Sequence, residues 1–283
     1  MHSQPMMKSR YISYYNEVIN PLGLGATCNL RFGNEGTTPI ENPYGRLVLR
    51  NGNRDDIGVF REIFGPKDLY TIPSETKALI RSSRGVRVID IGAHVGLATV
   101  KLLHQIRSCT SDHNNIFMVC VEPYPDNFGI LNHNVPRYPH VSCVQVGISN
   151  ESDQYLLTTN TYPERTSCTQ TFVSKDPTNI GSTTMEDLIQ DINAQIHAES
   201  NTNLNDTFIR EHYPLIVKFD AEGAEQRVAQ TPCIWLHDVM LLMTENHNPC
   251  IPNSFNLFQE KIFAAGLHLY SSVGHDLVYI RRQ

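Results

Sequence analysis

The chain has 283 residues, of which 40% are hydrophobic and 18% are charged, and its formal net charge is −6. This composition is typical of a globular protein with one large domain, or with one domain and an extension. The acidic balance and the scattered basic residues argue against nucleic acid as a partner, because a surface that binds nucleic acid normally carries a basic face.

The cysteine pattern and the N-terminal residues are typical of a protein in a reducing compartment. Seven cysteines form no CxxC pair, and the first twenty residues lack the apolar core of a signal peptide. No segment approaches the ~20 consecutive apolar residues that a membrane span needs. We therefore expect reduced cysteines, a cytoplasmic protein and no membrane partner. The pattern does not indicate an oligomeric state.

Residues 1–85 are rich in turn-forming sequences such as "NPLGLG", "FGNEGTTP" and "RNGN". Within them "RLVLR" alternates like a short strand, and "IGVFREIF" has the apolar face of a helix. The segment is predicted to be an N-terminal extension or lid rather than an independent core.

From residue 86 onward, apolar strands alternate with helices. The predicted strands are 86–92, 117–122, 141–149, 215–223 and 238–245, and the predicted helices start near residue 96 and cover 125–135, 183–192, 224–230 and 254–266. A hairpin of residues 267–272 and 277–281 ends the chain, and a polar stretch, 150–181, interrupts the pattern. Residues 86–283 are therefore predicted to form an α/β domain, a doubly wound, Rossmann-like and mostly parallel sheet with a C-terminal antiparallel hairpin.

The first strand leads into a turn framed by Gly92 and Gly96. A glycine turn can serve a ligand or merely pack tightly, but here Glu122 follows the second strand, where an acidic residue can accept hydrogen bonds from a ribose diol. Asp90 would repel a pyrophosphate at the helix N-terminus, and the third glycine of the dinucleotide fingerprint is absent. A cofactor with a sulfonium and no phosphate, S-adenosylmethionine, suits this turn better than a nicotinamide dinucleotide.

Six segments, in this order, resemble the FkbM-type family of S-adenosylmethionine-dependent methyltransferases, which has the class I methyltransferase fold. They are "VIDIGAHVGLATVKLL", "VCVEPYPDNFGILNHNV", "VSCVQVGIS", "TTMEDLI", "IVKFDAEGAE" and "LLMTENH". The resemblance covers residues 86–247 and implies a cofactor site. The residues that it places there are Asp90, Gly92, Ala93, His94 and Gly96 at the methionine end, Glu122 and Asn127 at the ribose, Val146 and Gly147 at the adenine, and Asp220. Gly147 departs from the class I pattern, since many members have a carboxylate there.

Three candidate catalytic residues follow the fourth and fifth strands: Asp220, Glu222 and His247. A base near the acceptor hydroxyl would assist methyl transfer, and Asp220 is best placed by motif, whereas His247 has the better intrinsic pKa. Structural alternatives stay open. His247 could be a satisfied loop histidine, Glu222 could cap the following helix, and Lys218 could pair with Glu225 to orient the loop, which we favour over a catalytic role for that pair.

No metal is predicted. Asp220, Glu222 and Glu245 could hold Mg²⁺, but their spacing does not demand it, and His247 with Cys250 supplies too few ligands for zinc.

The sequence predicts an S-adenosylmethionine-dependent O-methyltransferase acting on a small-molecule or glycan hydroxyl. The family resemblance favours a sugar or another polyhydroxylated natural product as the acceptor. The polar tract 158–181, with Arg165 and Lys175, either shapes specificity or forms a surface hairpin. The alternatives are a non-catalytic glycan- or partner-binding protein with the same fold, and a nicotinamide-dependent reductase, which Asp90 and the missing glycine oppose.

Overall fold

The computed structural model describes most of the chain from residue 53 onward and parts of what precedes it. The described ranges are 29–30, 37–42, 45–50, 53–110, 112–135, 138–152, 155–160, 169–174, 180–200, 204–247 and 255–282. The chain folds into two compact units, Met1–Tyr70 and Thr71–Gln283. Residues 71–85, which were assigned to the extension from sequence, therefore group with the second unit.

The first unit contains a three-stranded antiparallel sheet and a helix. Its elements are β1 (Asn29–Leu30), β2 (Thr37–Asn42), β3 (Gly45–Arg50) and α1 (Arg54–Phe64). The strand "RLVLR" and the helix "IGVFREIF" are thus confirmed. The Asn53 side chain accepts hydrogen bonds from two backbone N–H groups of the first turn of α1, a typical N-cap. Arg50 makes a bidentate ion pair with Asp56, at 2.5 and 3.0 Å, which joins β3 to α1.

The second unit contains two sheets. Its strands are β4 (Val86–Ile91), β5 (Ile116–Val121), β6 (Val141–Val144), β7 (Gly147–Ile148), β8 (Tyr155–Asn160), β9 (Thr169–Ser174), β10 (Ile180–Thr183), β11 (Leu215–Phe219), β12 (Val239–Glu245), β13 (Leu267–Val273) and β14 (Asp276–Arg281). Its helices are α2 (Ser74–Ser82), α3 (Leu97–Arg107), α4 (Pro125–Asn134), α5 (Met185–Ser200), α6 (Asp206–His212), α7 (Ala224–Val228) and α8 (Asn256–Ala264). Short 3₁₀ turns lie at His113–Asn115 and Ile234–Asp238.

The larger sheet has seven strands in the order β13-β14-β12-β11-β4-β5-β6. The pairs from β12 through β6 are parallel, and β14 pairs antiparallel with both β12 and β13. The predicted doubly wound sheet with a closing antiparallel hairpin is confirmed. The strand order reverses at β4, and ligands of such sheets bind beyond the carboxyl ends of the strands at this reversal.

The central strands are buried on both faces, which explains their continuous apolar sequences. Every residue of β4, β5 and β11 is buried. A core of β-branched and aromatic side chains packs between this sheet and its helices, and it includes Phe219, Trp235 and Phe258 in mutual ring contact. Strands of this kind need no alternation of polar and apolar residues.

The third predicted strand, 141–149, is wrong in its second half. Strand β6 ends at Val144, and Gly147–Ile148 instead pairs in parallel with β10 in a separate four-stranded sheet of order β7-β10-β8-β9. The polar stretch after it supplies the other strands of that sheet, and β8 and β9 form an antiparallel hairpin. Arg165 and Lys175 lie outside the described residues.

The predicted helices are confirmed, but α5 runs eight residues past its predicted end at residue 192, to Ser200. Helices α2 and α6 were not predicted. The cap expected at the start of α5 is a reciprocal one: Thr184 Oγ1 accepts from the Asp187 N–H at 3.1 Å, and Asp187 Oδ2 accepts from the Thr184 N–H at 3.2 Å. Within the described part of the chain, no helix has both the length and the apolarity to cross a membrane. Four described cysteines, Cys109, Cys120, Cys143 and Cys233, are free thiols.

Candidate functional site

The glycine turn, residues 92–96, connects β4 to α3. Gly92 has φ +71°, and a Cβ at this position would lie 1.7 Å from the backbone oxygen of Asp220. Gly96 has φ +85°, and its Cβ would lie 2.9 Å from Leu131 Cδ1. Gly92 is therefore required by its close approach to the Asp220 backbone, and Gly96 by its left-handed conformation. They do not by themselves indicate a ligand.

Glu122 ties the glycine turn to the end of β5. Its Oε2 accepts from the backbone N–H of His94 at 2.8 Å, and its Oε1 accepts from the Tyr124 N–H at 2.9 Å and from Asn127 Nδ2 at 3.2 Å. Glu122 is only 5% exposed, and this burial raises the pKa of its carboxyl. Each carboxylate oxygen can accept two hydrogen bonds, so Oε2 has the capacity for another donor.

Asn127 and His94 complete this side of the site. Asn127 is buried in the first turn of α4, and its Oδ1 has no hydrogen-bond partner among the described residues. A buried acceptor without a partner is costly, so it suits a hydroxyl supplied by a ligand. His94 has φ +51°, a backbone conformation that non-glycine residues seldom adopt, and this turns its N–H towards Glu122.

Asp90 is fully buried and interacts with two side chains. Its Oδ2 accepts from Thr99 Oγ1 at 2.5 Å, and its Oδ1 lies 3.1 Å from Lys218 Nζ. Lys218 also donates to the backbone oxygens of Ile91 and Gly92, at 3.2 and 2.9 Å. Burial alone would lower the pKa of Lys218, but the charges of Asp90 and Asp220 outweigh it and raise that pKa above its ordinary value. Lys218 thus holds the glycine turn from the neighbouring strand.

A second group lies at the carboxyl ends of β11 and β12, and we call it the carboxylate–histidine cluster: Asp220, Glu222, Glu225, Glu245 and His247. The Nε2 atom of His247 lies 3.6 Å from oxygens of both Asp220 and Glu222, and 3.5 Å from one of Glu245. The Nδ1 atom lies 3.2 Å from Glu225 Oε1. Four carboxylates therefore surround one imidazole at the carboxyl ends of β11 and β12.

The crowding of charge shifts the protonation of these groups. Burial and the negative charge of Asp220 raise the pKa of Glu222 to about 8 and that of Glu245 to about 9. Burial alone would lower the pKa of His247, but its bond to Glu225 and the surrounding carboxylates raise it to about 10. The neighbouring carboxylates therefore favour the protonated imidazole, which argues against the expected pKa near neutrality for His247.

The loop after β11 aims Glu222 at His247. Glu222 and Gly223 are both left-handed, with φ +50° and φ +93°. The N-cap of α7 is Gly223, without any side-chain hydrogen bond, so the alternative that Glu222 caps this helix is wrong. The predicted pairing of Lys218 with Glu225 is also wrong, since Lys218 pairs with Asp90 and Asp220, whereas Glu225 meets His247.

Three members of the cluster have the spacing of metal ligands. One ligand atom from each of Asp220, Glu222 and His247 lies within 4.8 Å of the others. Glu245, considered from sequence only as a Mg²⁺ ligand, reaches the same imidazole nitrogen. Cys250 lies outside the described residues.

The two sides of the site are joined through one lysine. Lys218 Nζ lies 3.1 Å from Asp90 Oδ1 and 3.7 Å from Asp220 Oδ2. Asp90, the Gly92 carbonyl and Asp220 are therefore linked through Lys218, and Asp220 in turn lies beside His247. Val146 packs against the core and Gly147 is buried in β7, next to the carboxyl end of β6. Thr99 was missed from sequence, although a hydroxyl in the first turn of α3 is a natural partner for Asp90.

Comparison with known proteins does not assign this chain to a family. No family model matches the chain, and no curated protein matches it. Among solved structures, it aligns with a SAM-dependent methyltransferase from Agrobacterium tumefaciens at 8% identity and a TM-score of 0.39, over 88% of this chain and 71% of the other. A putative caffeoyl-CoA O-methyltransferase from Staphylococcus aureus aligns at 14% identity and a TM-score of 0.33, over 80% and 91%. A fibrillarin from Aeropyrum pernix with natively bound S-adenosyl-L-methionine aligns at 9% identity and a TM-score of 0.33, over 89% and 98%.

Proposed function

We propose that this chain is an S-adenosylmethionine-dependent O-methyltransferase of the FkbM type. Its acceptor would be a hydroxyl of a sugar, a glycan or another polyhydroxylated small molecule. The observation that carries the proposal is the link through Lys218, which joins a turn suited to a cationic cofactor to a cluster of carboxylates suited to a hydroxyl. Both groups lie where the strand order reverses.

The cofactor side would be formed by the glycine turn, Glu122 and Asn127. Glu122 has acceptor capacity left at Oε2, and Asn127 has a buried oxygen without a partner among the described residues, so both suit the two hydroxyls of a ribose. Asp90 is covered by Thr99 and Lys218. We therefore assign Asp90 a positioning role, in which it shapes the turn at the methionine end without direct contact. Val146 and Gly147 would line the adenine end.

When bound, S-adenosylmethionine supplies a methyl group activated by a positively charged sulfur. The protein must then orient the acceptor hydroxyl and receive its proton. Exposure decides which groups can do so: Asp220, Glu222 and Glu245 have side chains 21%, 29% and 33% exposed, whereas that of His247 is 4% exposed. The three carboxylates would therefore face the acceptor, whereas His247 is too buried to reach it.

The experiment that tests the proposal has two stages. Thermal unfolding is followed with S-adenosylmethionine, with S-adenosylhomocysteine and with NAD; a ligand at 100 times its Kd stabilises by about 2.7 kcal/mol. We expect an increase in melting temperature with the first two ligands and none with NAD. Methyl-labelled cofactor is then incubated with a panel of sugars and polyols, and the methyl group is located by mass spectrometry. Stabilisation by NAD alone would overturn the proposal.

A further inference from the structure

We infer that the carboxylate–histidine cluster is a binding site for a divalent transition-metal cation, held by Asp220, Glu222 and the Nε2 atom of His247. These three residues each place a ligand atom within 4.8 Å of the other two. The cation itself is inferred from the donor atoms and does not depend on the proposed function. Its role in methyl transfer does rest on that function.

The first support is the environment of the imidazole nitrogen. His247 is 4% exposed, and its Nε2 makes no hydrogen bond among the described residues. The nitrogen is nearly equidistant from oxygens of Asp220, Glu222 and Glu245, at 3.5–3.6 Å, beyond the usual range for a hydrogen bond. Ligand atoms bonded to one ion at 2.0–2.2 Å in a tetrahedral arrangement lie about 3.4 Å apart. The observed separations therefore leave space for an ion between the nitrogen and the oxygens.

The second support is the partner of the other imidazole nitrogen. Nδ1 faces Glu225 Oε1 at 3.2 Å, and Glu225 is fully buried. A histidine that binds a metal almost always donates its second ring N–H to a carboxylate or carbonyl, which fixes the ring orientation and raises the basicity of the ligating nitrogen. Glu225, in the first turn of α7, places its carboxylate at ion-pair distance from Nδ1, although no hydrogen bond joins them among the described residues, and it accepts the Ala221 N–H at 3.3 Å. Glu225 is thus a positioning residue for Nε2.

The donor set indicates the class of ion. An imidazole nitrogen suits Zn²⁺, Fe²⁺ and Ni²⁺, and carboxylates also suit Mn²⁺, whereas Mg²⁺ prefers oxygen ligands and retains its waters. One nitrogen with two carboxylates therefore favours a transition ion. The partial exposure of Asp220 and Glu222 leaves one side of the site open, as in catalytic rather than structural metal sites.

An open coordination position would bind the acceptor oxygen and increase its acidity. The proton would leave to solvent water on the open side of the cluster, where the side chains of Asp220 and Glu222 are 21% and 29% exposed. The oxygen would then form its bond to the methyl carbon while the carbon–sulfur bond breaks, and the bonding pair would remain on sulfur.

The test uses the full chain after treatment with a chelator, without cofactor or acceptor. Mn²⁺, Zn²⁺ and Mg²⁺ are each titrated by calorimetry, and bound metal is counted by elemental analysis. We expect about one equivalent of Mn²⁺ or Zn²⁺ per chain and weaker binding of Mg²⁺. Glu222→Gln should weaken binding of the transition ion at least about 10-fold, and His247→Ala should abolish it. Glu225→Gln should weaken it by about 10–100-fold with all three ligands retained.

Two exposed residues of matching chemistry serve as controls, Glu260→Gln and His268→Ala, and both should bind metal like the wild type. If His247→Ala fails to fold, Glu222→Gln is the decisive variant, because Glu222 is partly exposed and its substitution should disturb the fold less. Absence of saturable Mn²⁺ and Zn²⁺ binding would overturn the inference, as would equal affinity in wild type and Glu222→Gln. S-adenosylmethionine binding is measured separately, so metal binding without cofactor binding would defeat the proposed function and leave the metal site standing.

Discussion

Lys218 and Asp90 are register partners on the neighbouring parallel strands β11 and β4, and their side chains form a buried ion pair of 3.1 Å. The same ammonium group donates to two carbonyl oxygens of the glycine turn. A buried pair costs desolvation, and it is stabilising only when further hydrogen bonds satisfy both charges. Here Thr99 donates to Asp90 Oδ2 and the turn carbonyls accept from Lys218, whereas Asp90 Oδ1 makes no hydrogen bond among the described residues and faces only the ammonium.

Lys218→Met should therefore destabilise the protein strongly. The variant leaves the Asp90 carboxylate buried without its charge partner, which typically costs about 3–5 kcal/mol in the free energy of unfolding. Denaturant titration followed by circular dichroism measures the loss. The double variant Asp90→Leu with Lys218→Met removes both charges and should recover much of it. A single variant within about 0.5 kcal/mol of wild type would mean that the pair does not hold the turn.

The need for glycine at the start of the turn can be tested against Gly129 in helix α4. Gly92→Ala places a Cβ 1.7 Å from the Asp220 oxygen at a φ of +71°, so β4 and β11 must move apart, and we expect a loss of several kcal/mol or failure to fold. Gly129→Ala, in the middle of α4, has open space for its Cβ and should stabilise by up to about 1 kcal/mol. Melting temperatures of the two variants give the comparison, and equal shifts would contradict it.

The sheet was predictable because its signals are local and strong. Continuous apolar strands, two glycines in a strand-to-helix turn and a terminal hairpin each indicate one structure, and the observed order of strands agrees. The third strand was predicted too long because Val146, Gly147 and Ile148 extend its apolar pattern past Val144. Pairing with β10, which is distant in sequence, directs that segment into the other sheet.

The site residues could be listed from sequence, but their partners could not. The pairing of Lys218 with Asp90 follows from the register of β11 on β4, which no local pattern specifies. His247 looked like a base because an isolated imidazole titrates near neutrality. Four carboxylates, from the loop after β11, helix α7 and the end of β12, converge on it and favour its protonated form.

Glu122→Gln tests the ribose contact. The substitution keeps the shape of the side chain but removes the charge that strengthens its hydrogen bonds, so affinity for S-adenosylmethionine should fall by about 1.5–3 kcal/mol. Calorimetry measures the affinity, and a melting curve without ligand checks the fold, since Glu122 also accepts from two backbone N–H groups. Glu260→Gln is the control. Unchanged affinity in a folded Glu122→Gln would place the ribose elsewhere.

The carboxylates should matter for turnover more than for cofactor binding. Asp220→Asn and Glu222→Gln retain the size of their side chains, but they lose the carboxyl group that would position the acceptor or bind the inferred cation. We expect kcat to fall by about 10²–10⁴ with the affinity for S-adenosylmethionine largely retained, because these groups act on the acceptor in the transition state. Turnover is measured on the acceptor identified by the labelling experiment.

Asp220 also lies 3.7 Å from Lys218, so the cofactor affinity of its variant has to be measured beside the rate. Among the described residues, Glu222 forms an ion pair with His247 and none with Lys218. Glu222→Gln is therefore the cleaner test, because it leaves the lysine that supports the glycine turn in place. Wild-type turnover in both variants would show that the cluster takes no part in the reaction, even if S-adenosylmethionine binds as proposed.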